Sequence, residues 1–413
     1  MKKKLIPIIA LGIFTMAAVS CGGKATWSFE EATKDGKLNY ALLIGQIDHN
    51  DSAARTGGIR EALKTRPTPA TTNANTETPV KGSIELGGKT YEVNEVVHGE
   101  QKNDAGATWD QQKATTSVET WFNTYNDIDF VVSNNDGMAV GALGATNWVE
   151  GMPLFGYDSN QDALKYIKEG KMSGTVNQNA PAQAAAIYMI ARNALDGVSP
   201  EDMLKSGFKE ENSYGKINSE VGYTAESKAV LVNNVAVTKE NVDSFMTSDI
   251  TTLAEKGIKK GTTEKKKIWH SYYSATDTFL TSSMEPLFKH YAPLFNFDVT
   301  TVKSSVATDD TSNLSALDGA EGYDAYVLNM VKTTATKDYL DKIAKKVEAS
   351  EANPSDVPVI FWNRQGTDDK NVVDTVNMQD ARFKYIYYVG FDAIQGGQLQ
   401  GQMIVDYFKD LAK

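Results

Sequence analysis

Short apolar runs alternate along the chain with stretches whose apolar residues recur at helical spacing. Residues 38–45 (LNYALLIG) read as a buried strand, and an Ala/Arg/Leu-rich helix follows through Leu63. Residues 65–79 (TRPTPATTNANTETP) form a Pro/Thr/Asn-rich loop whose two X-Pro steps break helix. Residues 91–97 alternate like a strand. Residues 110–122 place Ala114, Val118, Trp121 and Phe122 on one helical face. Two further strands are expected at 130–133 and 154–157. Asn135 and Asp136 are the N-cap candidates after the first, and Gly170 stops the helix after the second. An Ala-rich helix spans 180–195, closed by Gly197. A second series begins after Ser248, with strands at 268–273, 299–302, 325–330, 357–362 and 386–390 and helices between most of them, such as 338–347. Strands separated by helices mean βαβ units and parallel sheets. Two such series predict an α/β protein of two doubly wound parallel-sheet lobes, with the polar, Lys-rich stretch 248–267 as the linker.

The 413 residues exceed one compact domain, and 41% hydrophobic with 23% charged residues suffices for a core. A net charge of −11 implies no basic face, so nucleic acid is not an expected partner. The first residues change the picture more. Lys2, Lys3 and Lys4 precede an apolar run, 5–19, that is too short for a comfortable membrane span. It ends in Ala18-Val19-Ser20-Cys21, which resembles a bacterial lipobox. Residues 1–20 are expected to be a lipoprotein signal peptide, and 21–26 a tether anchored through a lipidated Cys21, holding the protein at the periplasmic or cell-surface side of a membrane. Cys21 is the chain's one cysteine, so no disulfide is available and stability must come from the core.

Parallel sheets bind ligands beyond the carboxyl ends of their strands. His49, Asn135, Asp158, Gln178, Asp277 and Asn363 all stand there, and each can make two hydrogen bonds. Paired carboxylates, amides and a guanidinium suit sugar hydroxyls, and an aromatic plate suits each face of a pyranose. Trp109 and Phe279 are the candidate plates; a core role for both is the alternative. His49, Asp51 and Arg55 (HNDSAAR) sit where a strand turns into a helix. Asp51 can cap that helix, with Arg55 four residues on, and the reading is open between a helix-start ion pair and a cluster at a cleft mouth. Catalytic signatures are absent: there is no GxSxG, HExxH or P-loop, and no usable thiol. No enzyme is expected.

These strand-end motifs resemble the periplasmic glucose/galactose-binding proteins of bacterial ABC importers. Residues 38–63 resemble the family's His-x-Asp-x-x-x-Arg segment, 130–141 (FVVSNNDGMAVG) its NND-x-MA-x-G signature, and 153–176 (PLFGYDSNQDALKYIKEGKMSGTV) its P-x-FG-x-D…G-x-x-x-GTV stretch. Residues 357–363 (VPVIFWN) and 388–390 (YVG) resemble the opposite lobe. The order is exchanged: the segment resembling the family's beginning is 268–413, and the rest is 27–246. The resemblance therefore implies a circularly permuted type I periplasmic-binding-protein fold. One lobe would be 27–177, completed by 232–247 and 391–413. The other would be 178–231 and 265–390, with 248–264 joining the ancestral termini. Lobe crossings are expected near 177–178, 231–232 and 390–391.

The resemblance also implies roles. Phe279 and Trp109 would sandwich the sugar. Asp277 and Asn363 would bind hydroxyls from one lobe, and His49, Asp51, Arg55, Asn135 and Asp158 from the other. Tyr273 matches a gate-lining Tyr, and Gln178 stands where the family has Asn. An EF-hand-like calcium loop maps onto Glu31, Thr33, Asp35, Lys37 and Asn39, with Asp129 as the distant carboxylate. Glu31 and Thr33 replace the preferred Asp and Asn, and a structural loop is the favoured reading of the stretch. No cofactor is required; calcium is the candidate. The function implied is capture of a free hexose, D-glucose and/or D-galactose, by hinge closure of a monomer that delivers it to an ABC permease. Rival readings are a sugar-sensing lipoprotein facing a chemoreceptor, a sugar-active enzyme, and a structural or adhesive lipoprotein. The insertion 65–88 has no counterpart in the resemblance.

Overall fold

The computed structural model describes residues 26–304 and 309–413, so the signal-peptide and Cys21 expectations fall outside the described residues. Among the described residues no helix is long and apolar enough to cross a membrane.

Lobe I begins with α1 (Phe29–Ala32), β1 (Lys37–Ile44), α2 (Asn50–Ala62), β2 (Gly82–Leu86), β3 (Lys89–Glu100), α3 (Gln111–Thr124), β4 (Phe130–Ser133), α4 (Asp136–Leu143), β5 (Leu154–Phe155), α5 (Gln161–Lys168) and β6 (Thr175–Asn177). The chain then enters lobe II through α6 (Ala180–Leu195), β7 (Val221–Thr224) and β8 (Ala229–Val232). It returns briefly to lobe I as β9 (Val235–Val237), which pairs with β6. Lobe II resumes with β10 (Lys266–Tyr272), α7 (Glu285–Tyr291), β11 (Phe297–Lys303), α8 (Thr311–Ala316), β12 (Ala325–Leu328), α9 (Thr336–Ala349), β13 (Val359–Trp362) and β14 (Ile386–Phe391). The last helix, α10 (Ala393–Leu411), crosses back and packs along α2.

Both sheets are doubly wound. Lobe I orders its strands β2-β3-β1-β4-β5, with β6 bridged beyond β5; lobe II orders them β11-β10-β12-β13-β14-β8-β7. Counted from β1 and from β10, the runs β3-β1-β4-β5-β6 and β11-β10-β12-β13-β14 both read 2-1-3-4-5, with β2 added at the edge of the first and β8-β7 at the edge of the second, so each has its switch point beside its first strand. β1 is apolar on both faces for a reason. Leu38, Tyr40, Leu42 and Ile44 face the side covered by Ile404 and Phe408 of α10, whereas Ala41 and Leu43 face Val118, Met138 and Leu164 of α3–α5. In lobe II, Ile268, Val327 and Ile360 face α6, while Trp269, Leu328 and Phe361 face α9.

The structure adds elements the hydrophobic pattern does not announce. β2 lies within the insertion and extends the lobe I sheet as an antiparallel edge strand. α10 approaches α2 so closely that a β-carbon at Gly58 or Gly397 would collide with the partner helix backbone. The stretch 248–265 is docked on lobe II, where Lys216 N–H donates to Gly257 O at 3.1 Å and Lys259 N–H to Tyr214 O at 2.8 Å.

Candidate functional site

One narrow cavity lies between the lobes at the carboxyl ends of both sheets. It is lined by His49, Asp51, Arg55, Trp109, Asn135, Asp158, Gln178, Tyr273, Asp277, Phe279, Asn363 and Arg364. All eleven candidate ligand residues are brought together there. The twelfth, Arg364, is new. It directly follows Asn363 at the end of β13, so the strand-end rule reaches it once both residues after a strand are inspected.

Lobe I supplies the charged half. His49 caps α2: its Nδ1 accepts from Asp51 N–H at 3.1 Å, so the ring proton sits on Nε2. This corrects the expectation that Asp51 is the cap; the carboxyl of Asp51 lies one step inside the first turn and lines the cavity. Nor does Arg55 pair with Asp51. Its ion-pair partner is Asp158 at 3.6 Å; Nη1 donates to Asn134 O at 2.7 Å, and the guanidinium lies 3.7 Å over the Tyr157 ring. Asn135 caps α4 by accepting from Met138 N–H at 2.9 Å, which leaves its amide nitrogen as the group for a ligand; Asp136, the other cap candidate, is fully buried in the first turn. Gln178 Nε2 donates to Asp158 Oδ1 at 2.7 Å. Trp109 lies against Gly45, where any β-carbon would collide with the indole, and its ring meets His49 edge-on at 5.5 Å.

Lobe II supplies the other wall. Asp277 accepts from Leu280 N–H at 3.0 Å, which fixes it at the start of a π-helical turn, Leu280–Met284, with Phe279 buried beside it. Tyr273 O–H donates to the Asp277 carboxylate, and the Arg364 guanidinium lies 3.5 Å over the Tyr273 ring. Asn363 Oδ1 accepts from Asn329 at 3.2 Å. Trp109, Asp158 and Asn363 all have left-handed backbone, with φ of 60°, 117° and 62°. Such conformations cluster where a site over-determines the chain.

Burial dominates the electrostatics. It lowers His49 well below the usual histidine range, assisted by the nearby Arg364 and Arg55 charges, so the ring is neutral. It raises Asp51 to about 6 against the pull of Arg55 and Arg364. Asp158 is raised further: desolvation and the Asp277 and Asp51 charges outweigh Arg55, which at 3.6 Å is too far for a hydrogen bond, and the Gln178 amide. Three carboxylates thus face two guanidiniums, a nearly balanced set. Arg55 Nε, Trp109 Nε1 and Arg364 Nε are buried without a partner. The arrangement suits a small neutral molecule with many hydroxyls, each able to donate to a carboxylate and accept from an amide, indole or guanidinium.

The residues mapped to calcium are engaged otherwise. Glu31 pairs with Lys34, Thr33 Oγ1 donates to Phe29 O at 2.8 Å, and Asp35 Oδ1 accepts from Lys37 N–H at 3.1 Å. Asp129 accepts from Asn39 N–H at 2.7 Å, and its carboxyl is raised to about 7 by burial, with the Asp35 and Asp127 charges adding. Among the described residues no group of three or more His, Cys, Asp or Glu is arranged to hold a metal ion.

Two family models, each described as a periplasmic binding protein domain, match residues 21–199 and 265–336, together more than half of the chain. The D-galactose/methyl-galactoside binding periplasmic protein MglB of Haemophilus influenzae is 28% identical over 52% of this chain and 52% of its own length. The ribose import binding protein RbsB of Bacillus subtilis is 38% identical over 22% of this chain and 29% of its own. The chain thus spans about half the length of these curated relatives or less. A solved periplasmic sugar binding protein of an ABC sugar transporter from Legionella pneumophila is 10% identical, covers 90% of this chain and 94% of its own, and superposes with a TM-score of 0.45. The doubly wound lobes, the cavity at their facing strand ends and the two domain matches lead to one conclusion: the chain belongs to the periplasmic binding proteins.

Proposed function

We propose that this protein is the periplasmic substrate-binding component of an ABC importer and captures a free hexose, D-glucose and/or D-galactose, by closing its two lobes over one ring. It acts by binding and release, without turnover. The observation that carries this reading is the cavity between the lobes, into which both lobes direct hydroxyl-binding groups. The Asp51, Asp158 and Asp277 carboxyls accept hydrogen bonds from sugar hydroxyls, Arg55, Arg364 and the Asn135 and Gln178 amides donate, and Trp109 and Phe279 cover the ring faces. An empty protein samples open states; contacts made from both sides favour the closed one. An unmatched buried polar group costs about 1–3 kcal/mol, and that cost is the source of selectivity.

The lipid anchor on Cys21 and the circular permutation belong to the same reading. Support for the permutation is the return of α10 to α2, which completes lobe I from the far end of the chain. Titration of intrinsic Trp fluorescence with D-galactose, D-glucose, D-ribose and xylitol tests the proposal, because Trp109 would report ring stacking. Saturable quenching or enhancement by a hexose at one-to-one stoichiometry is expected; a response to the pentose or the polyol alone would overturn the hexose reading.

A further inference from the structure

The insertion 65–88 is anchored on lobe I and points at the mouth of the cleft. Arg66 Nε donates to Glu77 Oε2 at 3.1 Å, and Glu77 Oε1 accepts from Thr71 N–H at 2.6 Å and Thr71 O–H at 3.0 Å. Arg60, fully buried and paired with Glu95, also donates to the carbonyls of Ala74 and Glu77. This frame holds a corner at 73–75 that faces the loop between β1 and α2. Asn75, itself 3% exposed, donates from Nδ2 to Gln46 O at 3.2 Å and Ile47 O at 3.0 Å, and Asn73 Nδ2 donates to Ile47 O at 2.9 Å.

The loop so held is the one that matters for closure. It carries His49 into the cavity, and its Gln46 Oε1 accepts from Arg364 Nη2 across the cleft at 3.4 Å. The insertion also crosses the cleft itself: Thr72 Oγ1 donates to Lys370 O of lobe II at 3.1 Å. The receiving turn is ordered, since Asp368 Oδ1 accepts from both Lys370 N–H and Val372 N–H at 2.9 Å.

We propose that the insertion is a closing latch: Asn75 is a positioning residue that fixes the Gln46–His49 loop for ligand and for Arg364, and Thr72 ties the lobes together, so that the insertion sets how long the cleft stays shut. As far as sugar release is concerned, the proposal rests on the sugar-binding reading above; the latch itself does not.

Two variants of the full-length chain test it, Thr72→Val and Asn75→Asp. The first removes one cross-lobe donor with little change in shape. The second turns two donors into carbonyl-facing oxygens. Three readouts are needed: small-angle X-ray scattering without sugar, stopped-flow release of D-galactose or D-glucose, and thermal unfolding. The latch predicts a larger radius of gyration for both sugar-free variants. It predicts release faster by about twofold to tenfold for Thr72→Val and about tenfold or more for Asn75→Asp, the effect of one and two lost hydrogen bonds. Unchanged scattering and unchanged release in both would overturn it, and so would a lowered melting temperature with scattering and release as in the wild type. If the wild type takes up no sugar yet the variants open the cleft, the latch stands and the sugar reading falls.

Discussion

The two lobes share a strand order and divide the labour of the site unequally. Lobe I brings charges that are nearly fully buried: His49, Asp51, Arg55 and Asp158 are each under 8% exposed. Its cavity face therefore carries a desolvation cost, visible in the raised Asp51 and Asp158 and the lowered His49. Lobe II presents Asp277 and Asn363 from half-exposed loops beside a single buried charge, Arg364, and behind them packs an aromatic cluster in which Phe288 lies 4.3 Å from His270, 5.1 Å from Trp362 and 5.1 Å from Tyr188. Lobe I thus holds buried groups that are partly unsatisfied, and lobe II holds a rigid wall; on the proposed reading, sugar hydroxyls satisfy the first as closure brings up the second. The difference teaches that one lobe gives up stability for binding while the other supplies it.

The largest effect on this contrast comes from the stable side. Phe288→Ala should cost about 3–5 kcal/mol of unfolding free energy, as large-to-small aromatic core changes do. Calorimetric melting checks this, and sugar affinity of the folded fraction should stay within about twofold, because Phe288 does not line the cavity. Next in size, Asp158→Ala in lobe I and Asp277→Ala in lobe II should each weaken sugar binding by about 2–5 kcal/mol. The two should differ in stability: Asp158→Ala relieves a buried carboxyl and should not lower the melting temperature of the sugar-free protein.

A smaller effect follows from proton linkage. Asp51 at about 6 and Asp158, also raised, bind protons in the folded chain that the unfolded chain releases. Their contribution to sugar-free stability is fully present below the ordinary carboxylate pKa of about 4 and is lost as pH rises through the raised values. Below about pH 6.5 the buried, neutral His49 and His270 add an opposing rise, so the window to follow is pH 6.5 to pH 8, where melting should show a decline of about 1–3 kcal/mol. Asp158→Asn should flatten it in part, since buried Asp136 and Asp129 add to the same slope. A profile that rises over this range would contradict the assignment of the desolvated carboxyls. Smallest, Trp109→Phe keeps a plate but loses indole area, and should weaken hexose binding by only about 0.5–1.5 kcal/mol.

Much of this was legible in the sequence, for identifiable reasons. The βαβ alternation is written in apolar runs such as 38–45, buried on both faces, and polar residues directly after those runs are the ones that meet in the cavity. Other features needed the third dimension. α10 contains Gly396, Gly397 and Gly401, which weaken helix propensity; it forms because Gly397 and Gly401 let it touch α2 and Gly396 leaves room for Tyr157. Asp51 looks like a cap by residue type, but a histidine ring nitrogen two residues earlier takes that bond. Arg364 reads as an ordinary surface cation until Tyr273 is seen beneath it, leaving it 1% exposed. The polar insertion reads as a loop, and only the fold shows where its asparagines aim.

The most direct test of a site shared by two lobes is isothermal titration of the wild-type chain with D-galactose and D-glucose at pH 7. The account predicts saturable one-to-one heat for at least one hexose. No heat with either hexose at millimolar concentration would contradict it.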